Sequence, residues 1–103
     1  MFSRGEVENK LKEIYDPEIP VNIFDLGLIY GIDISDDGVV KIDMTLTARG
    51  CPIYNMLLSE IKKKVMEIEG VKGVEVNLVW EPAWTPERIT EAGREALRRF
   101  GFF

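Results

Sequence analysis

Residues 39–47 read VVKIDMTLT and alternate without a break. Val40, Ile42, Met44 and Leu46 fall on one side of an extended chain, and Lys41, Asp43, Thr45 and Thr47 on the other. That period of two describes a strand with one buried face, so something must cover the face. The run before it, LGLIYGIDIS, alternates as well. It puts Leu26, Leu28, Tyr30, Ile32 and Ile34 on one side, and Gly27, Ile29, Gly31 and Asp33 on the other. SDDG joins the two runs, with Gly38 suited to a positive φ. The pair therefore predicts a β-hairpin.

The cover comes from segments of helical period. In PIYNMLLSEIKKKVMEIEG the residues Ile53, Leu57, Ile61, Val65 and Ile68 form an apolar stripe. Asn55, Ser59 and the Lys62–Lys64 run lie opposite as a solvated face. Pro52 fits the first helical position and Gly70 the end. Upstream, GEVENKLKEIYD carries Val7, Leu11 and Ile14 at helical spacing. Ser3 and Glu6 stand as a capping box, and Pro17 stops the helix near Tyr15. DPEIPVNIFD follows as an ordered loop. GVEVNLVWEP predicts a third strand with Val74, Val76, Leu78 and Trp80 inward. TPERITEAGREALRRF predicts a last helix capped by Thr85, with Pro86 first.

The predicted order is α-β-β-α-β-α, in a single domain spanning 1–103. A right-handed crossover through the central helix makes the second and third strands parallel. The expected architecture is α+β: a two-layer α/β sandwich, its small mixed three-stranded sheet carrying helices packed on one face.

Composition excludes several functions. A formal net charge of −5 opposes sequence-independent nucleic-acid binding and docking on anionic membranes. No apolar run approaches membrane-spanning length, and MFSRGEVENK lacks the apolar core of a signal peptide. A cytoplasmic location is expected. With no histidine and one cysteine, the chain has no Ser-His-Asp or Cys-His machinery, no intrachain disulfide and no tetrahedral zinc site of the usual ligand types. It also lacks a glycine-rich phosphate loop. An iron–sulfur cluster normally takes four thiolates, so one chain cannot supply them, whereas two chains with other ligands can.

The lone cysteine, Cys51, sits in TARGCPIYNM. If Pro52 opens the helix, Cys51 is its N-cap, close to free backbone N–H groups and the positive end of the helix dipole. Arg49 adds a cation. Both favour thiolate, the form that attacks electrophiles and binds metal; the other reading is a small buried thiol filling a gap. Asp25 is a metal ligand or the partner of a cation near Cys51, or else a turn carboxylate. Asp16 and Glu18 carry the same pair of readings. Thr45 and Thr47 are ordinary strand residues whose nearness to Cys51 makes them supporting candidates. Trp80 and Trp84 are packing aromatics or a partner-binding patch.

Three stretches, DPEIPVNIFDLGLIYGI, MTLTARGCP and VNLVWEPAWTPERITEAGR, closely resemble the SufT- and PaaD-like metal–sulfur cluster biosynthesis domains, relatives of the cytosolic iron–sulfur assembly targeting adaptors. The resemblance runs from about Val7 to Leu97. It implies a small α+β domain that assembles or delivers iron–sulfur clusters and is not an enzyme. Its motif positions fall on Asp16, Pro17 and Glu18, on Asp25, Leu26 and Gly27, on Thr45 and Thr47, and on Cys51 with Pro52. Cys51 is then the contact for cluster or target protein, and Asp25 a site residue. The implied cofactor is an iron–sulfur cluster, transient and shared between chains. The implied partners are the assembly machinery and client apoproteins, with a homodimer as the simplest assembly. PaaD-type members usually add a cysteine-rich tail; RRFGFF has no cysteine, and the likeness does not extend to that role. Phe100, Phe102 and Phe103 remain to pack on the sheet or to serve a dimer contact. The competing functions are an interaction module with a structural cysteine, binding through Trp80 and Trp84, and a thiol enzyme or redox sensor. The last lacks both a resolving cysteine and a histidine base.

Overall fold

The computed structural model describes residues 2–16, 20–46 and 54–101. The elements are α1 (Arg4–Leu11), β1 (Ile29–Ile34), β2 (Val39–Met44), α2 (Tyr54–Met66), β3 (Gly73–Leu78) and α3 (Glu91–Arg99), with a single 3-10 turn at Pro86–Arg88 before α3. The order is the expected α-β-β-α-β-α. The sheet runs β1-β2-β3, β2 pairing antiparallel with β1 and parallel with β3.

The alternation of β2 sets the layers. Val40, Ile42 and Met44 are fully buried, whereas Lys41 and Asp43 are exposed. Against that apolar face pack Leu57, Ile61 and Val65 of α2 and Val7 and Leu11 of α1. The register places Ile32 beside Ile42 and Ile42 beside Val76, a continuous β-branched layer under the helices. Lys62 and Lys63 stay exposed on the far side of α2. Lys64, less exposed than these two, is paired at the surface: its ammonium reaches Glu13 at 3.2 Å, and Lys10 reaches Glu67 at 3.0 Å, so two ion pairs tie the α1 region to α2 and the residue after it.

The loop of residues 20–28 is part of the core. Val21, Ile23, Leu26 and Leu28 are buried to 1% exposure or less. This loop shortens α1. The helix, capped by Ser3 through the Glu6 N–H, ends at Leu11 rather than near Tyr15. The Ile14 carbonyl accepts from Ile23 N–H at 2.8 Å and Tyr15 pairs with Asn22. Residues 14 and 15 are thus drawn onto the loop, and helical geometry is given up there.

β1 also differs from its predicted form. It begins at Ile29 rather than Leu26, because residues 26–28 turn. Its register then jumps between Ile29, opposite Met44, and Gly31, opposite Asp43. Tyr30 is the extra residue of a β-bulge, which re-aims a side chain. Its hydroxyl donates to the Pro82 carbonyl at 2.7 Å, and the Arg88 guanidinium lies 4.5 Å from its ring centroid. Tyr30 therefore leaves the face predicted from strict alternation.

The last helix starts later than expected. Thr85 makes no side-chain cap; it precedes only the 3-10 turn. Ile89 is extended (φ −66°, ψ 129°) and buried, and Thr90 is the N-cap of α3, its hydroxyl accepting from Gly93 N–H. α3 packs on the 22–27 turn. Phe100, at its end, is 66% exposed and does not pack on the sheet.

Candidate functional site

The turn that carries Asp25 is built by Asn22. The Asn22 side-chain oxygen accepts from Asp25 N–H at 2.8 Å, and its backbone carbonyl accepts from Leu26 N–H at 2.9 Å. This is the local backbone mimicry that suits Asn to turns. The Asn22 amide then donates to Asp25 Oδ2 at 2.8 Å. From the far end of the chain, the Thr90 hydroxyl donates to Asp25 Oδ1 at 2.9 Å, and Thr90 N–H donates to the Asp25 carbonyl at 2.8 Å.

Two glycines let the segments meet. Gly27 has φ +85°, and a Cβ there would run into the Arg88 carbonyl. At Gly93 a Cβ would lie 2.9 Å from the Asp25 carbonyl oxygen. Trp84 completes the closure, its indole N–H donating to the Leu26 carbonyl at 2.8 Å. The Asp25-Leu26-Gly27 motif is therefore a clasp. It holds the 84–93 segment onto the end of β1, and both carboxylate oxygens of Asp25 take part through hydrogen bonds.

The second constellation is at the end of β2. Thr45 N–H donates to the Leu28 carbonyl and Val79 N–H to the Met44 carbonyl, each at 2.8 Å. The sheet thus extends past its strand ends on both sides of Thr45. Thr45 is fully buried, and its hydroxyl is the buried side-chain polar atom without a hydrogen-bond partner among the described residues. An orphaned hydroxyl costs about 1–3 kcal/mol of unrecovered hydration and calls for a reason. Leu46, the next residue, is buried as well.

Cys51, Pro52, Arg49, Thr47 and Glu18 lie outside the described residues, as do Pro17, Phe102 and Phe103. Asp16 is buried at 7% exposure, its N–H donating to the Val21 carbonyl at 3.3 Å. Trp80 and Trp84 are half-buried against the core, so much of each ring packs within the molecule. Asp25 and Thr45 flank the same short stretch, residues 26–28, one through the turn and the other through the Leu28 carbonyl. Periodicity had no means of revealing Thr90, Asn22 and Gly93 as partners of Asp25. The Thr90 contact spans 65 residues.

The described residues contain no group of three acidic, cysteine or histidine side chains placed to hold a metal ion. No helix among them is long and apolar enough to cross a membrane.

Comparison with known proteins identifies the family. The family model described as "Iron-sulfur cluster assembly protein" matches residues 4–78. The Fe-S protein maturation auxiliary factor of Porphyromonas gingivalis is 43% identical, over 94% of this chain and 90% of that protein. The Fe-S protein maturation auxiliary factor SufT of Staphylococcus aureus is 38% identical, over 82% of this chain and 96% of its own length. A crystal structure of a domain of unknown function from Bacillus anthracis superposes with a TM-score of 0.84 at 34% identity, covering 91% of this chain and 90% of that one. The matched span includes Asp25, Thr45 and the single cysteine, and the chain belongs to the iron–sulfur cluster assembly protein family.

Proposed function

We propose that this protein is a maturation factor that takes up iron–sulfur cargo through Cys51 and passes it to client apoproteins, as a carrier or adaptor rather than as an enzyme. The observation that carries the reading is the position of the only thiol inside the span matched by the family model, residues 4–78. Two relatives named as Fe-S protein maturation auxiliary factors support it. The assembly machinery and the clients are its partners, in the cytoplasm.

The donor arithmetic adds a constraint. One thiolate per chain is too few for a conventional cluster, so the cargo is shared, either by two copies related by a two-fold axis or by this chain and a client. Both oxygens of Asp25 already accept hydrogen bonds within the clasp. That supports assigning Asp25 to shaping the site, with direct contact to cargo a secondary role. Cargo bridging two chains couples loading to association.

The test is anaerobic reconstitution of wild type and Cys51→Ser, with visible spectra, iron and sulfide assays and light scattering on each peak. Uptake by wild type with dimerisation, lost in Cys51→Ser and reversed by chelation, is the expected result. Equal iron and sulfide in the two proteins refutes the role of Cys51. Uptake only in the presence of a client apoprotein retains the adaptor form and removes the homodimer.

A further inference from the structure

A groove of about 400 Å³ opens between the 22–27 turn and α3. Its walls are apolar, formed by Val21, Ala92 and Ala96, and Tyr15 and Phe100 flank it. These two rings are 60% and 66% exposed, and they account for both aromatic members of the exposed large hydrophobics among the described residues. Their convergence on one concavity marks an interaction surface.

The charged groups of the groove are Asp25 and Arg99, one of each sign. Asp25 lines it, but its oxygens already accept from Asn22 and Thr90. The Tyr15 hydroxyl and the Arg99 guanidinium have no partner among the described residues, in contrast to Arg98, which is paired with Glu95 at 2.6 Å. Asn22 gives one amide hydrogen to Asp25 and has a second to offer. An apolar channel edged by donors and an unpaired guanidinium complements an apolar group standing next to a carboxylate. At 60% and 66% exposure the two rings that line the groove also present surface outside it, and a chain running across the groove covers that surface as well.

From this we infer that the groove docks a peptide segment of a partner protein that carries an apolar side chain beside a carboxylate. Arg99 receives the carboxylate, Tyr15 and Phe100 cover the apolar side chain, and Asn22 meets the peptide backbone. The side chains assigned to the peptide, Tyr15, Asn22, Arg99 and Phe100, are none of the cluster candidates, so the two readings are tested apart.

The experiment is an amide-resolved NMR titration of the full chain with the capped peptide acetyl-Gly-Phe-Glu-Gly amide and its Gln and Lys counterparts. The expected result is shifts confined to Tyr15, Val21, Asn22, Ala96 and Phe100. Binding should weaken about tenfold when Glu becomes Gln in the peptide, the loss of one charge-assisted contact. Arg99→Gln, an exposed change outside the clasp, should abolish that preference, and Arg98→Gln should leave it. Cys51→Ser should leave the titration unchanged, which separates this inference from the cluster reading. Absence of shifts at the groove, equal binding of the Lys peptide, or an unaltered preference in Arg99→Gln overturns the proposal. Binding of 3-phenylpropionate as tight as that of the peptide overturns it in favour of a small aromatic acid.

Discussion

The hydroxyl of Thr90 donates to the carboxylate of Asp25 at 2.9 Å across 65 residues of chain. This contact joins the turn before β1 to the first residue of the α3 cap. The same hydroxyl accepts from Gly93 N–H at 3.1 Å, so one side chain both starts the helix and anchors it.

Breaking the clasp should therefore destabilise the fold from either end. Asp25→Ala leaves the donors of Asn22 and Thr90 unpaired, and Thr90→Val removes a cap as well as a contact. Each should cost about 1–3 kcal/mol in chemical denaturation. The pair should be non-additive, with a coupling of about 1 kcal/mol or more in a double-mutant cycle. Strict additivity would show that the two residues act separately.

Thr45→Val should behave in the opposite way. The side chain is fully buried and its hydroxyl lacks a partner among the described residues. Replacing it with a methyl group of similar volume removes an unsatisfied donor and should leave stability unchanged or raise it by up to about 1 kcal/mol. A lowered denaturant midpoint would mean that the hydroxyl is bonded in solution.

Leu57→Ala tests the layer between α2 and the sheet. Leu57 is 1% exposed at the centre of the stripe formed with Ile61 and Val65. Truncation should cost about 2–5 kcal/mol, a large part of a small domain's stability. A thermal midpoint equal to wild type would refute the packing.

The ion pairs between the α1 region and α2 predict a pH dependence. The Lys10 ammonium, by hydrogen bond and charge, holds Glu67 below the usual carboxylate range. A depressed folded value means that this contribution is complete above the unfolded value and is lost as pH falls through the folded one. Glu13 raises Lys64 above the ordinary lysine range, so that contribution is full below the unfolded value and is lost as pH rises through the raised folded one. Glu67→Gln should flatten the acid limb of a thermal-midpoint-against-pH curve and leave the alkaline limb in place. Salt should flatten both, since the pairs face solvent. An acid limb identical in wild type and Glu67→Gln would remove Glu67 from the account.

Local pattern was enough for the frame. The unbroken alternation of 39–46 and the stripe of Leu57, Ile61 and Val65 each concern neighbours along the chain. A period of two or of 3.6 records which side of an element avoids water. The parallel pairing of β2 with β3 followed from chain order, because a helix lies between them. The cluster-assembly resemblance was carried by short ordered motifs, and these too are read along the chain.

What the pattern missed was decided by contacts between distant segments. Tyr30 looked like a core residue until the bulge turned it toward Pro82 and Arg88. Helix propensity from Thr85 onward gave way because Ile89 is buried and Thr90 N–H donates to the Asp25 carbonyl. α1 stopped short because the Ile14 carbonyl bonds Ile23. In each case a hydrogen bond or a buried side chain from elsewhere in the sequence outweighed a local preference of a few tenths of a kcal/mol per residue. Asp25 shows the division most plainly. Sequence alone marks it as a carboxylate in a turn, and only the arrival of Thr90 and the close seat of Gly93 make it the clasp between segments 65 residues apart.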